Sequence, residues 1–396
     1  MPMKIIADEN IPYLEQFFTS YGEITTVPGR KINAAIVENA DVLLVRSITQ
    51  VNETLLKNSK VSFVGSATIG MDHIDTQYLR DRGIEFHNAP GCNADSVVQY
   101  VLAALLHLDK FYHFDLASKT VGIIGCGNIG SRLQRSLVAL GVQYKTYDPF
   151  LDEVVSGPQV SFEEVMGCDA VTLHVPITTM GAFPTKHMIN EPVLRRMKPD
   201  TVLINSSRGA VIDNQALLKS LQEAPRIVVL DVWENEPDIE WGLLDYLAIA
   251  TPHIAGYSAE GKAKGTQMLY QALANWGKKP ASLTLTQFMP VAPVHKIQLS
   301  EELTGPIPAL HKLIKCCYSI EDDDKRLRLA SKQSDRNQRF DLLRKNYGGR
   351  REFSSLTLNV QTPATREAAE LSIKLQTLGF EISKVDDANQ INEGAT

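Results

Sequence analysis

The chain has 396 residues, 44% of them hydrophobic and 22% charged, and its formal net charge is −6. That length implies two or three domains with apolar residues for several cores, and the mild acidity disfavours nucleic acid, whose phosphates need a basic surface. The five cysteines, odd in number and without Cys-x-x-Cys or Cys/His clustering, argue against structural disulfides or a metal site and for a reducing cytoplasm.

The chain opens on Lys4–Ala7, a strand rather than the apolar core of a signal peptide. Asp41–Val45, Val61–Val64 and Ile84–Phe86 are further strand candidates separated by helical patterns, so residues 1–94 read as an α/β unit with a parallel sheet. A helix over Ser96–Lys110 follows. Its most apolar part, Val97–Leu108, contains Gln99, Tyr100 and His107; it is too short and too polar to cross a bilayer and reads as buried. Thr120–Ile124 is a strand ending in a glycine loop, and Gly130–Leu140 is a helix with Leu133, Leu137 and Leu140 at helical spacing. Strands are predicted at Val142–Tyr147, Ala170–Val175, Val202–Asn205, Ile227–Leu230 and Ala248–Ala250, with helices such as Asn214–Glu223 between them. Residues 95–255 therefore read as a doubly wound nucleotide-binding domain.

The helix Ala259–Trp276 is expected to return to the first domain, which is then discontinuous and built from 1–94 and 256–285. Pro290, Pro293, Pro306 and Pro308 mark a linker and a helix start. Helices over Asp322–Leu329 and Asp335–Lys345, a strand Ser355–Val360, a helix Thr365–Leu378 and a strand Glu381–Val385 make a third, small α/β domain over 286–385, followed by a polar tail, 386–396. The expected fold class is α/β: two doubly wound parallel-sheet domains, the second of Rossmann type, plus the small C-terminal domain.

The run from Val121 to Gly130 carries the Gly-x-Gly-x-x-Gly pattern: Gly125, Gly127 and Gly130, with Asn128 and Ile129 before the last glycine. It follows an apolar strand, opens an amphipathic helix, and is followed by Asp148 at the end of the next strand, the context that makes the pattern diagnostic. Gly125 permits the tight turn, Gly127 lets a pyrophosphate approach the backbone, and Gly130 allows helix and strand to pack. The pyrophosphate then meets a helix N-terminus. Asp148 suits ribose hydroxyls and repels a 2′-phosphate, which favours NAD over NADP.

Three segments follow strands of the same domain: Asn205-Ser206-Ser207-Arg208-Gly209, Asp231-Val-Trp-Glu-Asn-Glu236-Pro237, and Pro252-His253-Ile-Ala-Gly256-Tyr257. Ligands of open parallel sheets bind outside the carboxyl ends of strands, so the three converge on the nicotinamide end. Oxidising a 2-hydroxyacid needs a base for the hydroxyl proton, a task suited to a histidine near neutral pH and assigned here to His253. Glu236 orients the imidazole and stabilises its charged form, and Arg208 grips the substrate carboxylate. Singly, each has a plain structural use; together beside a dinucleotide loop they favour catalysis.

These motifs, in this order, resemble the D-isomer-specific 2-hydroxyacid dehydrogenases over roughly residues 3 to 285. The resemblance implies that Arg208, Glu236 and His253 are catalytic. It also implies that Ser206, Ser207, Arg208, Asp231 and Gly256 lie around NAD, with Val175 adding a backbone contact. Stretches such as Val45-Arg46-Ser47-Ile48-Thr49, Gly65–His73, Ala89–Ala94 and the C-terminal Phe340–Phe353 are similar to one branch of that family. Its members oxidise 4-phospho-D-erythronate to (R)-3-hydroxy-2-oxo-4-phosphooxybutanoate with NAD, on the way to pyridoxal phosphate.

By that likeness Ser47, Thr68 and Tyr257 contact substrate, and Arg46 is a further substrate residue as a cation in a strand-end loop. The same likeness implies a homodimer formed through the C-terminal domain. Arg350 or Arg351 is expected to reach an active site and help hold the phosphate, against the plainer reading of a solvated or ion-paired turn. Other readings are a dehydrogenase of 3-phosphoglycerate or glycerate, which would share the catalytic residues, and a dinucleotide-sensing co-repressor-like scaffold, which the acidity disfavours. A formate dehydrogenase is disfavoured because its acid position is glutamine where this chain has Glu236.

Overall fold

The computed structural model describes residues 2–151, 159–299, 305–361 and 365–385, so the tail 386–396 lies outside the described residues. The chain divides into two compact units, Met1–Ala94 with Ser258–Pro290, and Asp95–Tyr257 with Val291–Thr396. The helix Ala259–Trp276 belongs to the first unit.

The first unit is built on five parallel strands in the spatial order Gly22–Val27, Met3–Asp8, Val42–Val45, Phe63–Ser66, Glu85–His87. The central strands Val42–Val45 and Phe63–Ser66 are buried throughout, as a sheet covered on both faces requires. Gly22–Val27 was not expected from the sequence. It is an edge strand, GEITTV, with no fully buried residue, so it lacks the apolar run that announces the others. Chain order reverses between Met3–Asp8 and Val42–Val45, and the loop after Val45 carries Arg46 and Ser47 at that switch point.

The second unit contains six parallel strands in the order Ile249–Ala250, Val228–Leu230, Val202–Asn205, Ala170–Leu173, Thr120–Ile124, Gln143–Tyr147. Its switch point lies between Thr120–Ile124 and Ala170–Leu173, where the glycine loop leaves the sheet. The C-terminal segment forms a third parallel sheet of three strands, Lys296–Gln298, Thr357–Gln361 and Glu381–Val385. The sequence reading contained only the last two, because a three-residue strand with one half-buried side chain carries almost no pattern.

The C-terminal segment shares a buried core with the nucleotide-binding domain. Leu371 and Leu375 of helix Arg366–Thr377 belong to one buried cluster with Leu133 and Leu137 of helix Gly130–Leu140. Helix Ile320–Ser331 covers the edge strand Ile249–Ala250: Asp324 accepts the Ala250 N–H at 2.8 Å, and Arg328 donates to the carbonyls of Leu244 and Leu247. That cover blocks the edge from pairing with another strand.

Candidate active site

The glycine loop has the shape a dinucleotide needs. Gly125 has φ +90°, and a Cβ there would lie 2.7 Å from the His174 carbonyl oxygen; at Gly130 it would lie 2.1 Å from the Gly125 carbonyl oxygen. At Gly127 a Cβ would meet nothing within 4 Å, so the space above the loop is open for a phosphate. The helix it feeds starts at Gly130 with no side-chain cap from Ile129, which suits an anion at its N-terminus. Asp148 accepts the Cys126 N–H at 2.9 Å and the Phe150 N–H at 3.1 Å, so its carboxylate is fixed at the end of the neighbouring strand.

Val175 follows the strand on the other side of the switch point. Ser206 is buried, and its hydroxyl has no hydrogen-bond partner among the described residues, a donor left for a ligand. These features fit a bound dinucleotide without a 2′-phosphate.

Asn205 shapes the next segment: its side chain donates to the Arg208 carbonyl at 2.9 Å and accepts from the N–H and hydroxyl of Ser207. Arg208 is half-buried and donates to the Ser207 carbonyl at 2.9 Å. On the adjacent strands, Glu236 and His253 meet. His253 Nδ1 and Glu236 Oε2 are 2.7 Å apart, and Glu236 Oε1 accepts the Trp233 N–H at 3.0 Å. Burial raises the Glu236 pKa, but the imidazole, its hydrogen bond and the Arg344 guanidinium outweigh that, and the carboxyl is held below its ordinary range. An ionised Glu236 makes Nδ1 the donor, which leaves the other ring nitrogen of His253 able to accept a proton.

The loop carrying His253 is itself held by Asp231. Asp231 is 1% exposed; it accepts from the Thr251 hydroxyl at 2.6 Å, the Ile254 N–H at 2.8 Å and the Ala255 N–H at 2.9 Å. His253 has φ +57°, a left-handed conformation unusual for a non-glycine residue. Its N–H donates to the Asp231 carbonyl at 2.6 Å. Burial raises the Asp231 pKa in spite of these donors and the nearby imidazole. Sequence reasoning gave Asp231 only a contact to NAD; its bonds here shape the loop that carries His253. Gly256 and Tyr257 end that loop.

In the first unit, Ser47 is exposed in the loop after Val45. Thr68 follows Phe63–Ser66, and its hydroxyl is 2.9 Å from Ser66 Oγ, which is 3.0 Å from His73 Nε2. Lys262, which sequence reasoning did not single out, has its pKa pushed down to about 8 by burial and by the charge of Arg46. Two cations held near one another make an environment for an anion.

Arg350 is 4% exposed, and its terminal nitrogens bond to backbone carbonyls of this chain. It donates to the carbonyls of Ile254 and Ala255, at 3.3 and 3.0 Å, and to Ser96, and it stacks 3.8 Å over the Tyr318 ring. Its charge is spent bracing the His253 loop. Arg351 is half-buried, and its N–H donates to the Cys317 carbonyl at 3.2 Å.

Residues 100–255 match the family described as D-isomer specific 2-hydroxyacid dehydrogenase, NAD binding domain, and residues 288–379 match a domain of unknown function, DUF3410. The erythronate-4-phosphate dehydrogenase of Hahella chejuensis is 45% identical over 384 residues, covering 96% of this chain and 100% of that protein. That of Psychromonas ingrahamii is 42% identical over 396 residues, covering 99% and 100%. The chain belongs to the erythronate-4-phosphate dehydrogenase family. Among solved structures, the fold is similar to D-lactate dehydrogenase from Aquifex aeolicus complexed with NAD and lactic acid (TM-score 0.59, 23% identity, 69% of this chain and 95% of that one). It is also similar to the NAD-bound 3-phosphoglycerate dehydrogenase of Entamoeba histolytica (TM-score 0.60, 22% identity, 73% and 100%).

Arg344 stands beside Glu236 and is another residue that the sequence did not disclose. Its Nη1 is 3.5 Å from Glu236 Oε2 and its Nη2 is 3.5 Å from the Tyr257 hydroxyl. No spacing rule joins residue 344 to residue 236; the only signal was its place inside the Phe340–Phe353 stretch.

His174, after the strand beside the glycine loop, yields a prediction on pH. Its Nε2 is 3.0 Å from the Thr172 hydroxyl, and burial pushes its pKa from 6.5 down to about 3. An unfolded chain takes up this proton below pH 6.5 while the folded one does not until about 3. Stability is therefore full above that window and lost as pH falls through it, by up to about 1.4 kcal/mol per pH unit. His174→Gln, which keeps an acceptor or donor toward Thr172 but cannot titrate, is expected to lose less Tm than the parent between about pH 7 and about pH 5. Parallel Tm curves for the two proteins would refute this.

Proposed function

We propose that this protein oxidises 4-phospho-D-erythronate to (R)-3-hydroxy-2-oxo-4-phosphooxybutanoate with NAD, a step toward pyridoxal 5′-phosphate. The observation that carries the substrate is the likeness at 45% identity over nearly the full chain, C-terminal segment included. The catalytic residues alone do not distinguish substrates within the wider dehydrogenase family.

Arg208 holds the substrate carboxylate through its planar fork and polarises the forming carbonyl. His253, with Nδ1–H donated to Glu236, takes the C2 hydroxyl proton on its other ring nitrogen, and the imidazolium so formed is stabilised by the Glu236 carboxylate. NAD, when bound, supplies the acceptor for the hydride that leaves C2. Ser206, Ser207, Val175, Asp231 and Gly256 would lie around it, Val175 through its backbone, and Asp148 would take its adenosine ribose. Arg46, Ser47, Thr68 and Tyr257 bind the polyol phosphate. His253 then returns its proton to water. The enzyme works as a homodimer through residues 286–385. A cytoplasmic setting agrees with five cysteines that form no disulfide, and no described helix is long and apolar enough to cross a membrane.

Formation of NADH or NADPH from 4-phospho-D-erythronate, 3-phosphoglycerate, glycerate and D-erythronate, with NAD and with NADP respectively, tests this reading. The highest kcat/KM is expected for 4-phospho-D-erythronate with NAD. A higher value for 3-phosphoglycerate, or for NADP, would overturn the substrate or the Asp148 assignment respectively.

A further inference from the structure

Arg344 sits in the last turn of helix Arg336–Lys345, inside the segment that matches a domain with no described function. Its side chain is 18% exposed. A guanidinium offers five N–H donors, yet its two contacts here, to Glu236 and Tyr257, both lie at 3.5 Å, and its Nε–H has no partner among the described residues. Glu236 is a poor fork partner, because its oxygens already accept from His253 at 2.7 Å and from Trp233 at 3.0 Å. Burial works against the charge of Arg344, but the Tyr257 hydroxyl and the carboxylates of Glu236 and Asp341 outweigh it and hold the pKa above its ordinary value. A permanent, partly buried cation therefore stands beside the catalytic pair with most of its hydrogen-bonding capacity unspent.

The C-terminal segment also fixes what surrounds this cation. Tyr347 donates to Asp323 at 2.7 Å and packs edge-on against Tyr257 with ring centroids 6.0 Å apart. Arg350 ties down the carbonyls of Ile254 and Ala255. Tyr257 and Arg344 are thus presented together on the flank of His253. A substrate with an anion at each end needs a cation for each, and Arg208 serves only one. A phosphate brought near the Glu236 carboxylate would be repelled unless a positive group stood close by, and the Arg344 guanidinium lies 3.5 Å from that carboxylate.

Building on the function argued above, we propose that Arg344 of the C-terminal segment, with the Tyr257 hydroxyl, binds the phosphate of the substrate. The C-terminal segment then supplies a specificity-determining residue as well as the brace of the catalytic loop. Loss of a charge-assisted pair of hydrogen bonds corresponds to about 10- to 100-fold in affinity.

The test uses the full chain with Arg344→Gln and Arg344→Lys, with 4-phospho-D-erythronate and D-erythronate as substrates and inorganic phosphate as a competitive inhibitor. NADH affinity and Tm report folding. Arg344→Gln is expected to raise KM for the phosphorylated substrate and Ki for inorganic phosphate by about 10-fold or more, and to lower kcat/KM for D-erythronate by a much smaller factor. Arg344→Lys restores part of the loss. Equal falls in kcat for both substrates with a displaced pH profile would overturn the proposal and make Arg344 a positioning residue for Glu236. An unchanged KM in Arg344→Gln alongside a raised KM in Arg46→Ala would overturn it in favour of Arg46 and Lys262. A parent enzyme that does not oxidise 4-phospho-D-erythronate sinks the underlying function, an outcome separate from both.

Discussion

His253→Ala is expected to lower kcat by about 100-fold or more while leaving NAD affinity close to that of the parent. The imidazole is one half of a pair 2.7 Å across, and its partner Glu236 is nearly buried and ionised. Removing the ring takes away the proton acceptor and leaves a carboxylate with Trp233 N–H and the longer Arg344 contact as its remaining partners. The pyrophosphate loop, Gly125 to Gly130, belongs to a different part of the sheet and keeps its shape. Single-turnover measurement of NADH formation, together with equilibrium NADH binding, separates the two effects. Turnover within tenfold of the parent would mean that another group takes the proton.

Asp231→Ala is the second large effect, and it acts through shape. Three donors, the Thr251 hydroxyl and the N–H groups of Ile254 and Ala255, converge on this buried carboxylate. Deleting it leaves them without an acceptor in a dry interior, at about 1–3 kcal/mol for each that stays unsatisfied. A total loss of about 3 kcal/mol or more is expected, seen as a fall in Tm of about 5–10 °C. The left-handed conformation of His253 is held by the same strand end, so kcat should fall together with stability. Substrate KM should change less, because Arg208 is positioned independently by Asn205. A variant with parental kcat would show that the loop keeps its geometry without Asp231.

The features that were legible in the sequence are those whose cause is local. The glycine loop could be read because Gly125 is required by its own φ of +90° and Gly130 by its approach to the Gly125 carbonyl five residues earlier. Helix Gly130–Leu140 and strands Thr120–Ile124 and Val202–Asn205 were readable from apolar periodicity, since one face of each must be buried. Arg208, Glu236 and His253 could be nominated because each follows a strand of one parallel sheet, and such a sheet presents its strand ends together.

Contacts between segments far apart in the chain were decided only by the tertiary structure. The edge strands Gly22–Val27 and Lys296–Gln298 exist because a neighbour offers hydrogen bonds, and their half-exposed side chains need no apolar pattern. Asp231 became the clamp of the catalytic loop through bonds to residues 20 or more positions away. Arg350 and Arg344 are six positions apart and equally basic, yet burial against carbonyls consumes the first, while the second stands beside Glu236, 108 residues earlier in the chain. Composition and spacing cannot tell two such arginines apart, because what separates them is the set of acceptors that folding brings to each guanidinium.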